Sequence, residues 1–287
     1  MRAQLTPLSA RNFGLLFAPV SRRDGGLVFA SYLAPNIRPT YQFVVDRVGE
    51  ALGCPTRLVT GKSLEQLREG SVDFAFLCGL PYVRLHRESP APVEAIAAPV
   101  VQGRRYGGRP IYFSDVIVSR ESVAESFEDL RGCSWGYNEP DSHSGYLITL
   151  FRLFQMGETG SFFGRCVMTG FHQKSIRLVA AGRLEASAVD SQVLSVEMRE
   201  HPELADRIRV IDTLGPSSIQ PLVATRFAPE PVRSEVCQIV TGLGRAGAER
   251  ARLDQGLIEK FVPVDDARYA DIGEMLAAVE TAGLSLA

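Results

Sequence analysis

The chain carries no excess of either charge: 31 basic residues against 33 acidic leave a net charge of −2 over 287 residues. It has no basic run, which argues against nucleic acid or an anionic membrane as the main partner. Cysteine is sparse. Cys54, Cys78, Cys133, Cys166 and Cys237 are odd in number, scattered and free of CxxC spacing, so they fit neither a disulfide framework nor a zinc site and read as small core residues. No apolar run approaches membrane-spanning length. Residues 1–26 also lack a convincing secretory signal, because Pro19 breaks the apolar patch at 13–20 and no small-residue cleavage site follows. They read as an irregular arm. What is plentiful is apolar: 45% of the residues are hydrophobic, ample for one large or two modest domains.

From Gly25-Gly26 onward strand and helix patterns alternate. Strands are predicted at 27–32, 56–60, 72–77, 111–119, 133–137, 165–169, 186–189, 207–211 and 221–226. A helix after Arg38-Pro39-Thr40 turns Phe43, Val44, Val45, Val48 and Leu52 inward and ends at Gly53. Ser63 with Gln66 makes a capping box over a short helix, and Gly79-Leu80-Pro81-Tyr82 reads as a turn. Short helices are expected at 121–130 and after Gly170-Phe171-His172, and the C-terminal third reads as helices at 231–244, 248–261 and 272–283. This alternation implies a parallel-rich α/β architecture. A helix, a glycine, two residues, an acid and an apolar strand recur at Gly70-Ser71-Val72-Asp73-Phe74 and Gly182-Arg183-Leu184-Glu185-Ala186. Two βαβ units about a hundred residues apart suggest two lobes.

The segment Glu139-Pro140-Asp141-Ser142-His143-Ser144-Gly145-Tyr146 separates a strand from a helix. Pro140 stops the strand, and Ser142 or Ser144 can cap the helix, whose apolar face runs through Tyr146, Leu147, Leu150, Phe151, Leu153 and Phe154. A helix start presents unpaired N–H groups and the positive end of the peptide dipole, so this end is a candidate anion cradle. In open α/β sheets ligands bind beyond the carboxyl ends of strands. That rule gathers Tyr32, Tyr82, Ser142, His143, Ser144, His172 and Asp190, each following a predicted strand.

Gly79-Leu80-Pro81-Tyr82, the run Ser142-His143-Ser144-Gly145-Tyr146-Leu147, Gly170-Phe171-His172 and Ala188-Val189-Asp190-Ser191 stand in the order and spacing of one family. From about residue 27 to 261 the chain resembles the substrate-binding proteins of phosphate/phosphite/phosphonate ABC importers, the PhnD-like group. The resemblance implies a type II periplasmic-binding-protein fold of α/β class: two lobes, each a mostly parallel sheet flanked by helices, joined by two hinge strands. It places lobe one at 27–118 and 212–287, lobe two at 119–211, with crossings at 111–119 and 221–226. It implies a small phosphorus oxyanion as ligand, membrane subunits as partners, an extracytoplasmic location and no cofactor. Ser142, His143 and Ser144 match the segment that holds the oxyanion, although His143 stands where a hydroxyl residue is more usual. Tyr82, His172 and Asp190 match pocket positions, and Tyr32 an aromatic of the first-strand loop.

Two rivals remain. Ser144, His172 and Asp190 could form a nucleophile, base and orienting acid, but Pro140 and Tyr146 break the two possible G-x-S-x-G frames. His143, His172 and Asp190 lack a short-spaced metal-binding pair, so no metal is expected. A cytoplasmic ligand sensor on the same fold, for another small anion or a thiamine precursor, is the second reading, favoured by the missing signal.

Overall fold

The computed structural model describes residues 26–245 and 247–286, so the N-terminal arm lies outside the described residues. Strand β1 (Leu27–Ser31) leads through a 3-10 turn into helix α1 (Arg38–Leu52), which buries Phe43, Val44, Val45 and Val48 and ends on left-handed Gly53. β2 (Thr56–Thr60), the short α2 (Glu65–Arg68) and β3 (Phe74–Phe76) follow, then α3 (Gly79–His86), β4 (Val93–Val101) and β5 (Ile111–Ser119). Beyond β6 (Ser134–Tyr137), a π-helical turn (His143–Leu147) runs into α4 (Ile148–Gln155). Next come β7 (Arg165–Met168), α5 (His172–Ala180), β8 (Ala186–Asp190), α6 (Ser191–Glu200), β9 (Ile208–Ser218) and β10 (Leu222–Thr225). The chain closes with α7 (Glu230–Thr241), α8 (Gly247–Gln255), β11 (Ile258–Pro263) and α9 (Ala270–Thr281).

These strands form two sheets, ordered β11-β4-β10-β3-β1-β2 and β7-β6-β8-β5-β9. Both share one plan. A central strand (β1 or β6) pairs in parallel with the strands on either side, β2 and β3 or β7 and β8. Antiparallel strands then extend the sheet, β10 and β4 in the first and β5 and β9 in the second. The sheets are therefore mixed rather than mostly parallel, because each borrows strands from beyond its own βαβ run. The two glycine-initiated echoes lead into β3 and β8, which hold equivalent places in the two sheets.

Several expected elements differ. The turn at 79–82 is the first turn of α3, where Pro81 is tolerated because its missing N–H has no helical partner there. The expected helix at 121–130 is largely irregular: Ser122 accepts from Ala124 N–H, and Asp129 accepts from the N–H groups of Glu125 and Ser126, drawing the backbone out of a helix. The helix at 248–261 stops at Gln255, since Leu257 takes a φ of 55° and the chain then pairs with β4 as β11. The boundary at 118/119 also moves. β5 does not cross between lobes but pairs with β8 and β9. The chain passes from the first sheet to the second between Val101 and Ile111 and returns between Ser218 and Leu222. The first crossing is pinned by Arg105, whose guanidinium grips buried Asp115 of β5 at 2.7 and 3.0 Å.

Trp135 of β6 is fully buried and stacks on Phe163 with ring centres 4.5 Å apart, while Phe127 packs edge-on against it. Phe127→Ala would leave a cavity among Trp135, Phe162 and Phe163 and should cost about 3–5 kcal/mol of stability. Denaturant unfolding followed by the fluorescence of Trp135 checks this; a loss below about 1 kcal/mol would place the core of the second sheet elsewhere.

Candidate functional site

A small cavity of about 60 Å³ lies between the sheets, at the carboxyl ends of their strands. Five helix N-caps line it: Ile37 before α1, Cys78 before α3, Ser142 before the π turn, Phe171 before α5 and Asp190 before α6. The shared sheet plan produces this convergence. Strands β1, β3, β6, β7 and β8 each deliver a helix whose first turn faces the gap, so the positive ends of five peptide dipoles point at one volume. Among the described residues, no lysine or arginine lines the cavity.

Ser142 Oγ accepts from the N–H of Gly145 at 3.1 Å and so caps the π turn, leaving its own hydrogen to donate. Gly145 is required by its neighbour: a Cβ there would stand 2.0 Å from Asn138 Oδ1. Gly170, at φ 92°, turns the chain from β7 towards α5 and donates its N–H to the carbonyl of Asn138 at 2.8 Å. These two glycines hold Asn138 between the π turn and the start of α5, against the cavity. Ser144 Oγ and His172 Nε2 are 3.0 Å apart, and burial lowers the His172 pKa to about 4, so the ring is neutral at pH 7. In either tautomer the pair keeps one hydrogen to give, from Nδ1 or from the hydroxyl.

Asp190 is 2% exposed. Its Oδ1 accepts from the N–H groups of Gln192 and Val193 at 2.8 and 3.1 Å, and its Oδ2 from Gln220 Nε2 at 2.5 Å. Burial nevertheless outweighs these bonds and raises its pKa from 3.8 to about 6. Glu139 at the rim is also pushed up, by partial burial and then by Asp141. Three buried polar atoms of the lining have no partner in the protein: Asn138 Oδ1, His172 Nδ1 and Gln220 Oε1. Asn138 Oδ1 and Gln220 Oε1 can each accept, and His172 Nδ1 can accept or donate, so the three leave hydrogen-bonding capacity facing the cavity.

Of the seven residues singled out from the sequence, Tyr32, Ser142, Ser144, His172 and Asp190 line the cavity. Tyr82 and His143 do not. Tyr82 is sealed in the core against Tyr269 and gives its hydroxyl to Asp266. His143 turns away from its serine neighbours: its Nε2 meets Ser217 Oγ at 2.8 Å, and burial lowers its pKa to about 3. His143 opens the π-helical turn, and its ring is drawn off to Ser217 and towards Tyr112, while Ser144 Oγ meets His172. Sequence reasoning missed Tyr41, Asn138, Gln192 and Gln220. Tyr41 stacks on Phe76 at 4.0 Å, and burial, then the charge of Asp190, raises its pKa. Asn138 had a readable signal, as the first residue after the predicted strand at 133–137 and two before the Pro140 stop; Gln220, in the return crossing, had none.

The pKa of Asp190 fixes a pH dependence. The folded protein holds this proton up to about pH 6 and the unfolded chain only to about 4, so ionisation through that window destabilises the fold. His143 and His172 act in the opposite sense, costing stability as pH falls below 6.5. Asp190→Asn removes only the first effect. Its stability relative to the parent should therefore rise between pH 4 and 7, by on the order of 3 kcal/mol. Thermal melts of both proteins across that range test it; a flat difference would mean that Asp190 is ionised as readily as in water.

A family model described as "ABC transporter, phosphonate, periplasmic substrate-binding protein" matches residues 27–269. The structure is also similar to solved ones. A binding-protein component of an ABC phosphonate transporter from Pseudomonas aeruginosa superposes with a TM-score of 0.77 at 17% identity, over 89% of this chain and 87% of that one. A protein from Prochlorococcus marinus, in complex with methylphosphonate, gives 0.74 at 17% identity, over 88% of this chain and 98% of that one. The glutamate-bound ligand-binding core of a receptor from Nostoc punctiforme gives 0.55 at 11% identity, over 80% and 98%. The fold is that of the type II periplasmic binding proteins.

Proposed function

The chain belongs to the family of periplasmic substrate-binding proteins of phosphonate ABC transporters, and from that premise we propose that its cavity clamps the head group of a small phosphorus oxyanion and delivers it, unaltered, to membrane subunits. The convergence of five helix N-caps on a cavity without lysine or arginine carries this reading. Helix starts bind tetrahedral anions through backbone N–H groups and need no mobile cation. At the 10–15 Å³ that one buried water needs, the cavity has room for about four to six heavy atoms, the size of phosphite, phosphate or methylphosphonate. No helix of the described residues is long and apolar enough to cross a membrane, so transfer across one belongs to partner subunits.

Asp190 supports a protonated ligand. An ionised carboxylate beside an oxyanion is repulsive unless the ligand carries a proton or an ammonium group to meet it. Phosphonates, phosphite, phosphate monoanion and aminoalkylphosphonates meet that condition near neutral pH; sulfate and sulfonates do not. Binding without turnover is supported by the same residue. Ser144 and His172 are adjacent like a nucleophile and base, but both oxygens of Asp190 are engaged by Gln192, Val193 and Gln220, and His172 Nδ1 has no acid to orient it.

A thermal-shift panel of phosphate, phosphite, methylphosphonate, 2-aminoethylphosphonate and sulfate tests the ligand class. A bound compound at a hundredfold excess over its Kd adds about 2.7 kcal/mol. At least one phosphorus compound should raise the melting temperature, sulfate should not, and mass spectrometry should recover the ligand unchanged. Stabilisation by sulfate alone, or conversion of the ligand, contradicts the reading. Alanine at both Ser142 and Ser144 should weaken binding at least about tenfold, each lost bond to a charged oxygen being worth about 1.5–3 kcal/mol. Calorimetry checks this; unchanged affinity removes the segment from the site.

A further inference from the structure

Beside the cavity runs a second, larger depression of about 760 Å³, and Phe171 lines both. This ring is 58% exposed and stands at the N-cap of α5. Continuity holds on the other walls as well. Ala34 lines the cavity and Pro35 the groove, while on α6 Val193 lines the cavity and Glu197, one turn on, the groove. Asn36 spans the boundary, its Nδ2 donating to Val193 O at 3.2 Å and to Glu197 Oε2 at 3.3 Å.

The groove holds buried polar atoms without partners. Both amide atoms of Gln173 and the Oδ1 of Asn36 are shut off from solvent and unbonded. Its lining carries three cations, Lys174, Arg177 and Arg183, against two carboxylates, Glu197 and Glu200. Glu197 is engaged by Arg177 at 3.1 Å as well as by Asn36. Lys174 has no acid within salt-bridge distance among the described residues, and it follows Phe171 by three positions, about 4.5 Å along the axis of α5. Lys174 lines the groove one turn beyond Phe171, the residue the two depressions share.

We propose that this groove is a second compartment of the ligand site, taking the distal carboxylate of a phosphonate whose head group occupies the cavity, with Lys174 and the Gln173 amide as its partners. The cavity holds little more than the head group, and Phe171, which lines both depressions, gives a longer substituent a route into the groove that Gln173 and Lys174 line. A linker of two or three carbons matches one helical turn. The inference rests on the phosphonate reading of the cavity, and the test separates the two.

Calorimetry on the intact protein with methylphosphonate, propylphosphonate and 3-phosphonopropionate isolates head group, bulk and distal charge. The carboxylated compound should bind about five- to tenfold tighter than propylphosphonate. Lys174→Ala, a change on an exposed helical face, should reduce that ratio to about twofold or less, and Gln173→Ala should lower it in the same direction. Equal or weaker binding of the carboxylated compound overturns the inference, as does a ratio that survives both substitutions. Methylphosphonate bound while both longer compounds are excluded also overturns it and leaves the cavity reading standing. Failure of all three to bind removes the phosphonate reading and this inference with it.

Discussion

Each sheet places a central strand between two parallel neighbours, and each of those strands must be followed by a helix that packs back over the sheet. That requirement sends the first turns of five helices into the gap between the sheets, where backbone N–H groups have no helical partners. Side chains cap some of them, Ser142 the Gly145 N–H and Asp190 those of Gln192 and Val193, and the proposed anion would meet the remainder. The absence of lysine and arginine from the lining is the complement of this arrangement: the positive potential is built into the backbone and costs no side-chain ordering when a ligand arrives.

The remaining polar groups tune that potential. Asp190 works in two directions, capping α6 with one oxygen and meeting Gln220 from the return crossing with the other. Its raised pKa follows from burial, which outweighs the bonds it accepts. Ser144 and His172 form a neutral donor pair, since a histidine this deeply buried stays uncharged at pH 7. Further bonds tie the sheets around the cavity, among them Gln192 to the Gly256 carbonyl at 2.6 Å and Arg199 to the Asp254 carbonyl at 2.8 Å. Most start from α6, so the helix capped by the buried carboxylate also fastens one side of the gap to the other.

Much of this was legible in the sequence because punctuation is local. Pro140, Gly170 and Gly182 mark where strands and helices end, and the residues beyond β6, β7 and β8 could be placed at the cavity from spacing alone. Side-chain direction was less legible. His143 sits between two cavity-lining serines yet faces Ser217, and Tyr82 lies one turn inside α3, where its hydroxyl reaches Asp266. β4 and β11 escaped notice for a physical reason: the alanines and Pro99 of β4 have low strand propensity, and β11 continues a helical pattern past Gln255. Gln220 and Asn36 reach their partners only through contacts distant in sequence, which no local pattern encodes.

The claim on which the account turns is that helix starts, rather than side-chain cations, hold the ligand. A crystal structure of the protein with methylphosphonate tests it most directly. The account predicts phosphorus in the cavity, with its oxygens about 2.7–3.1 Å from backbone N–H groups at the starts of the π turn and its neighbouring helices. It also predicts one oxygen beside Ser144 or His172 and no arginine or lysine in contact. Methylphosphonate bound outside the cavity, or held there by a cationic side chain that swings in, would contradict it.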